Sequence, residues 1–340
     1  MEPEASASAD PSLPAGVHPP VGPRGHGPLV HVGYHKAAST WLQESVFCAS
    51  DGAFAPIADI AASIDLLVRP HALEWSAEPV RTRLDGARAG AGAGARIPVL
   101  SNEEFSGNPH AGGFGSVEIA HRLAEVLPDA RILVVVRRQP DAIVSTYKQF
   151  IRRGGTLSPR QYFDPDISHF RFRRFRPGHW EYDRLVSLYQ RLFGEARVRV
   201  LPFELLRSDH DAFLGEIARF CGIPSLRASA RRGENPSMSA LAAAVQRRLN
   251  RIFLRDDVNP TAPFRCWRLE GWMQSVDRTL LRRLAGPAER ALSARVAQLC
   301  EGRFEESNAR LAVIAGLDLS RFGYALPPSG RVPPTDTSRS

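Results

Sequence analysis

The chain has 340 residues and a formal charge of +8, from 44 Lys plus Arg against 36 Asp plus Glu. With 43% hydrophobic and 24% charged residues it has an ordinary globular composition, and it is long enough for one large domain or two small ones. No run approaches the roughly 18 apolar residues of a membrane-spanning helix. The start, MEPEASASADPSLPAG, has no basic stretch leading into an apolar core, so the expectation is a cytoplasmic protein with no membrane span. The cationic excess favours an anionic partner without choosing among nucleotide, acidic acceptor and nucleic acid. None of Cys48, Cys221, Cys266 and Cys300 lies within four residues of another, which leaves no zinc-type pair. Cys48 and Cys221 read as buried helix residues.

In chain order, residues 1–27 are rich in Pro, Ala, Ser and Gly without periodicity, as are residues 326–340; both predict disordered tails. A single domain is expected over 28–325. Strands are predicted at Leu29–Val32, Ile97–Leu100, Arg131–Val136 and Val198–Leu201, and the low-complexity run Gly86–Ala95 predicts a surface loop. Helical periodicity is readable at about 40–48, 116–127, 140–153, 181–193, 204–221, 238–254 and 299–315. Strands alternating with helices indicate a three-layer α/β fold around a central parallel sheet of about four to five strands. The stretch from about 225 to 325 reads as a helical C-terminal part of the same domain.

The first strand runs into Gly33-Tyr-His-Lys-Ala-Ala-Ser-Thr40 and then into the helix beginning at Trp41. A loop between strand and helix presents unpaired N–H groups, and the helix start carries about half a positive charge, so the junction suits an anion. Lys36 adds a full charge, and Ser39 and Thr40 add hydroxyl donors. A helix-capping serine alone would explain far less than a glycine exit, a lysine and a Ser-Thr pair within eight residues. The segment is not a Walker A loop, because Lys36 precedes Ser39 by three positions and no second glycine is present.

A second constellation follows the third predicted strand. Arg137 sits at its end, Pro140 suits the first turn of the next helix, and Asp141 and Ser145 complete the spacing R-x-x-x-D-x-x-x-S. Ile143, Tyr147, Phe150 and Ile151 form that helix's apolar stripe, with Asp141, Ser145 and Lys148 on a polar one.

His31-Val-Gly-Tyr-His-Lys-Ala-Ala-Ser-Thr-Trp-Leu-Gln43 resembles the 5′-phosphosulfate loop of the sulfotransferases that use PAPS, 3′-phosphoadenosine 5′-phosphosulfate. The resemblance implies a P-loop NTPase-like sheet, PAPS as co-substrate, and donor contacts from His35, Lys36, Ala37, Ala38, Ser39, Thr40 and Trp41. The Arg137–Ser145 spacing resembles the same family's 3′-phosphate motif, which assigns Arg137 and Ser145 to that phosphate. The family commonly has glycine where this chain has Ala38 and Thr or Ser where it has Ala37; a loop requiring positive φ at position 38 would strain an alanine.

Ile97–Ser106 contains Ser101-Asn-Glu103, similar to the family's S-x-E segment, in which the glutamate serves as the base; Glu103 matches it, with Glu104 and His35 as rivals. Lys36 and Glu103 are thus the expected catalytic pair, with no metal. Residues 304–311 and 316–320 also resemble the end of bacterial members, so the likeness spans roughly 29–325. Arg231–Ser237 lies where relatives bring a basic loop to the nucleotide, but matches loosely. Phe170-Arg-Phe-Arg-Arg-Phe-Arg176 fits an acidic acceptor, stacked bases or an amphipathic surface alike. The expected reaction is sulfuryl transfer to a small-molecule, carbohydrate or peptide acceptor, with no nucleic acid. The alternatives are an ATP- and magnesium-dependent kinase and a non-catalytic nucleotide binder.

Overall fold

The computed structural model describes residues 27–49, 52–93, 96–164, 174–229, 237–254, 258–264, 266 and 269–328. The expected tails lie almost wholly outside these, as do residues 170–173 and 231–236. Five parallel strands form one sheet in the order β2-β3-β1-β4-β5: β1 (Leu29–His31), β2 (Phe54–Pro56), β3 (Ile97–Ser101), β4 (Arg131–Val136) and β5 (Val198–Pro202). β4 is apolar without alternation because both faces are covered, and Ile132 through Val136 are fully buried. The sheet and its covering helices form the three-layer α/β fold expected.

β2 was not legible as a strand. It has three residues, ends in proline and lies at the sheet edge, where a missing N–H is tolerated. The expected loop at Gly86–Ala95 is instead helical through Ala93, as part of the helix Ala77–Ala93. Alanine's high helix propensity offsets the glycines, and a Cβ at Gly86 or Gly90 would meet nothing, so both face outward. Val80 and Leu84 anchor the helix in the core. The predicted helix 204–221 is two, Phe203–Ser208 and His210–Cys221, because Asp209 caps the second by accepting from Ala212 N at 2.8 Å. The predicted helix 299–315 joins the end of Gly286–Cys300 to Glu305–Ala315 across a turn at 301–304. Cys221 is buried as expected, but Cys48 is exposed, since it lies just past the end of its helix.

The C-terminal helices pack against Gln139–Arg152, the helix that follows β4. Lys148, expected on a polar face, is buried there, and its ammonium donates to both carboxylate oxygens of Glu289 at 2.9 Å. Glu289 also accepts from the N–H of Ala240, the first residue of Ala240–Phe253, at 2.7 Å. One carboxylate therefore ties three helices together. Among the described residues no helix is long and apolar enough to cross a membrane.

Removing one partner of such a pair strands a charge in a poor solvent. Glu289→Ala is expected to lower unfolding free energy by about 2 kcal/mol, less than for a fully buried pair because Glu289 is 36% exposed. Urea denaturation checks this, and the Lys148→Met, Glu289→Leu double variant should lose less than the single one.

Candidate active site

In parallel α/β sheets ligands bind beyond the C-terminal strand ends, where the chain order reverses. Here the chain passes from β3 on one side of β1 to β4 on the other, so the loops leaving β1, β3 and β4 meet at one edge. Val32 N and Tyr34 N continue the ladder to Leu133 O and Val135 O at 2.9 and 3.1 Å, which aims the first loop along β4. The helix after it starts as Ser39–Leu42 and widens into a π-turn over Gln43–Phe47.

Lys36 and Ala38 both have left-handed backbone, at φ 67° and 69°, as does Gly33 at 51°. A Cβ on Gly33 would lie 2.8 Å from Ser39 Oγ. Each non-glycine residue in this region costs about 1–2 kcal/mol, and such strain collects at binding loops held by their surroundings. Ala38 therefore does carry the strain that its departure from glycine implied. It occupies the N-cap and has no side chain to cap with, so the first helical amides are left open toward the loop.

The remaining loop residues divide by burial. Ala37 has its side chain in the core, and its N–H donates to Tyr34 O at 3.2 Å. Ser39 is buried, and its Oγ has no hydrogen-bond partner among the described residues. Thr40 is exposed. Trp41 sits edge-on to His210 and Phe213, with centroids 5.1 and 6.4 Å away, and so braces the loop against the helix His210–Cys221. Burial pulls the Lys36 ammonium below its ordinary pKa, with Glu103 opposing that shift and Arg152, Arg137 and Arg153 adding to it.

The loop after β3 enters from the other flank. Asn102 accepts from Glu104 N at 2.9 Å and so shapes the turn Glu103–Ser106. His35 Nε2 reaches Glu104 Oε1 at 3.3 Å and Glu103 Oε1 at 3.7 Å, while the buried His35 Nδ1 has no partner among the described residues. Burial pushes the Glu104 carboxyl up, but the His35 hydrogen bond and the Arg153 charge outweigh it and hold the group below its ordinary value. Glu104 is thus bound to His35, and Glu103 keeps the looser contact. Ser101 Oγ meets His31 Nδ1 at 2.8 Å, and Gln43 Nε2 donates to Ser101 Oγ and O, both at 3.1 Å. Burial pushes His31 down to about 3, so this tie between β1, β3 and the helix is neutral.

From β4, the Arg137 guanidinium donates to Lys36 O at 3.0 Å and lies 4.8 Å over the Phe203 ring. Tyr182 OH donates to Arg137 O at 2.7 Å, and Glu204 accepts from Arg138 N at 3.0 Å. Neither Tyr182 nor Glu204 was singled out from the sequence, because each acts through a contact between distant elements. Ser145 is buried in Gln139–Arg152, two turns from Arg137. The structure thus joins Lys36, His35, Glu103, Glu104 and Arg137 in one cluster, with Ser39 beneath the loop.

Residues 115–227 match the family model described as Sulfotransferase family; this segment contains Arg137 and Ser145, is less than half of the chain, and excludes the Lys36 loop and Glu103. No curated protein matches the chain. A sulfotransferase from Alicyclobacillus acidocaldarius superposes with a TM-score of 0.51 over 87% of this chain and 98% of its own, at 17% identity, a likeness of fold. The sulfotransferase domain of the curacin biosynthetic pathway aligns over 88% of this chain and 99% of its own, at 13% identity and a TM-score of 0.37.

Releasing the strain at position 38 should be measurable. Ala38→Gly is expected to raise unfolding free energy by about 1 kcal/mol, read by thermal or urea unfolding. The depressed Glu104 pKa stabilises the fold above the ordinary carboxylate value, and that contribution is lost as pH falls through the depressed one. Glu104→Gln should therefore flatten the wild-type fall in stability as pH drops below the ordinary carboxylate range, measured by urea midpoints.

The matched segment carries the second of the two motifs, and the fold around it brings the first alongside: residues 115–227 match the sulfotransferase family, and the five-stranded parallel sheet with its helices has the fold of a solved sulfotransferase.

Proposed function

We propose that the protein transfers a sulfuryl group from 3′-phosphoadenosine 5′-phosphosulfate to a hydroxyl or amine of an acceptor. The observation that carries this reading is the buried, unpartnered Ser39 hydroxyl in a strained loop with uncapped helical amides and a partly buried Lys36. Buried polar groups normally have partners, and a phosphate oxygen supplies one for a hydroxyl, a lysine and free amides together. The residues present fit the donor: the Lys36 loop for the 5′ end, Arg137 with Ser145 for the 3′-phosphate.

The donor supplies the sulfuryl group and a leaving phosphate. Lys36 and the loop amides face the negative charge that grows on that phosphate, and being fixed beforehand they need no reorganisation. Glu103 is the base that accepts the acceptor's proton as its oxygen or nitrogen bonds to sulfur and the sulfur–oxygen bond to the phosphate breaks. Glu104 holds His35, leaving Glu103 the freer carboxylate. Fixed cations and dipoles supply the electrostatic work, so the proposal requires no metal.

Thermal-shift comparison tests the donor. 3′,5′-ADP should stabilise the protein more than 5′-AMP or ATP, equally with and without magnesium. Binding of ATP that depends on magnesium would instead indicate a kinase, and 3′,5′-ADP binding without any transfer would indicate a non-catalytic binder. Lys36→Ala should slow transfer of labelled sulfate about a hundredfold, or about 3 kcal/mol; an unchanged rate would remove Lys36 from this role.

A further inference from the structure

A cavity of about 800 Å³ opens beside the Lys36 loop on its Tyr34 side, within the size range of sites for small organic ligands. Tyr34 and Ser106 form part of its lining. Tyr34 immediately precedes His35, and Ser106 donates to Glu103 O at 2.8 Å, so the cavity borders both the donor loop and the turn that carries the base.

Its wall is mixed, with only somewhat more apolar than polar surface. Phe163, Phe175, Leu185, Leu188 and Leu299 line it, with the two phenylalanine rings edge to face at 5.1 Å. Three arginines also line it, Arg176, Arg184 and Arg303, against one acid, Glu181. Arg184 pairs with Glu181, whereas Arg176 and Arg303 have no carboxylate partner among the described residues. Arg176 lies over the Phe114 ring at 5.5 Å, and Arg303 Nε donates to Leu299 O at 3.2 Å, so both are positioned without being neutralised. His179, also in the lining, is held neutral by burial, with its pKa pushed down to about 3, and adds no positive charge to that of the arginines.

We propose that this cavity receives the acceptor, and that the acceptor is an amphipathic organic acid. Its apolar or aromatic body packs on the rings and leucines, its hydroxyl points toward Glu103, and its carboxylate is held by Arg176 and Arg303. A neutral sugar would place many hydroxyls against rings and leucines that cannot hydrogen-bond them. A cationic acceptor would meet two uncompensated guanidiniums. The aromatic-arginine run of the sequence acquires a role here, because two of its three described members, Phe175 and Arg176, line the cavity, while Arg174 lies over the Phe150 ring. The proposal rests on the sulfotransferase reading of the neighbouring loop.

Calorimetric titration of the full chain saturated with 3′,5′-ADP tests it, using two probe acids, cholate and 4-hydroxyphenylpropanoate, and their methyl esters. At least one acid should bind about tenfold more tightly than its ester, the worth of one charge-assisted hydrogen bond. The Arg176→Gln, Arg303→Gln double variant should lose that preference while keeping wild-type affinity for 3′,5′-ADP, since neither arginine belongs to the donor loop. Esters that bind as well as the acids, or saturable binding by neither acid, would overturn the proposal. The same titrations without nucleotide read the acid preference independently, so failure of 3′,5′-ADP to bind would count against the donor and not the cavity.

Discussion

Three residues, Leu29 to His31, are paired on both sides, to β3 and to β4, and every part of the site is positioned by that double pairing. Because all three strands run parallel, their C-terminal ends leave the sheet at one edge, and loops separated by about seventy residues in sequence emerge together. The ladder bonds of Val32 and Tyr34 carry β4's grip past the end of β1 and set the direction of the Lys36 loop. Ser101, bonded by both His31 and Gln43, does the same for β3. A loop strained at two non-glycine residues persists because these neighbours leave it no relaxed alternative.

The charges at this edge are arranged so that few are cancelled. Arg137 spends one donor on a loop carbonyl and stacks on Phe203, and burial lowers its pKa while Asp141, Glu204 and Tyr182 oppose that. Lys36 is likewise pulled down by burial, with Glu103 as its counterweight. Cations kept partly desolvated and unpaired interact strongly with an incoming anion. Away from the site the opposite holds: Lys148 is fully engaged by Glu289, and the charge is used to lock the C-terminal helices onto the helix that follows β4.

The family match and the fold bear on different halves of this arrangement. The matched segment contains Arg137 and Ser145, and the loop of Lys36 precedes it. What unites them is the Arg137 to Lys36 hydrogen bond, a contact across 101 residues. The cavity takes Tyr34 from the first motif and nothing from the second; the rest is assembled from the turn after β3, the residues around Phe175 and segments of four helices.

The amino-acid sequence by itself determined the elements whose signal is local. β4 announces itself by an apolar run too long for a half-exposed strand, and the Lys36 loop by its residues between strand and helix. Local signals failed where propensity and packing disagree: the Gly-Ala run is helical because alanine and two buried anchors outweigh the glycines, and Phe54–Pro56 is a strand only because β3 is there to pair with it. Positive φ at Lys36 and Ala38, the division of labour between Glu103 and Glu104, and the uncompensated charge of Arg176 and Arg303 were decided by tertiary structure alone. Each depends on which atoms lie within a few ångströms across the fold, and backbone strain, desolvation and ion pairing are set at that distance, not along the chain.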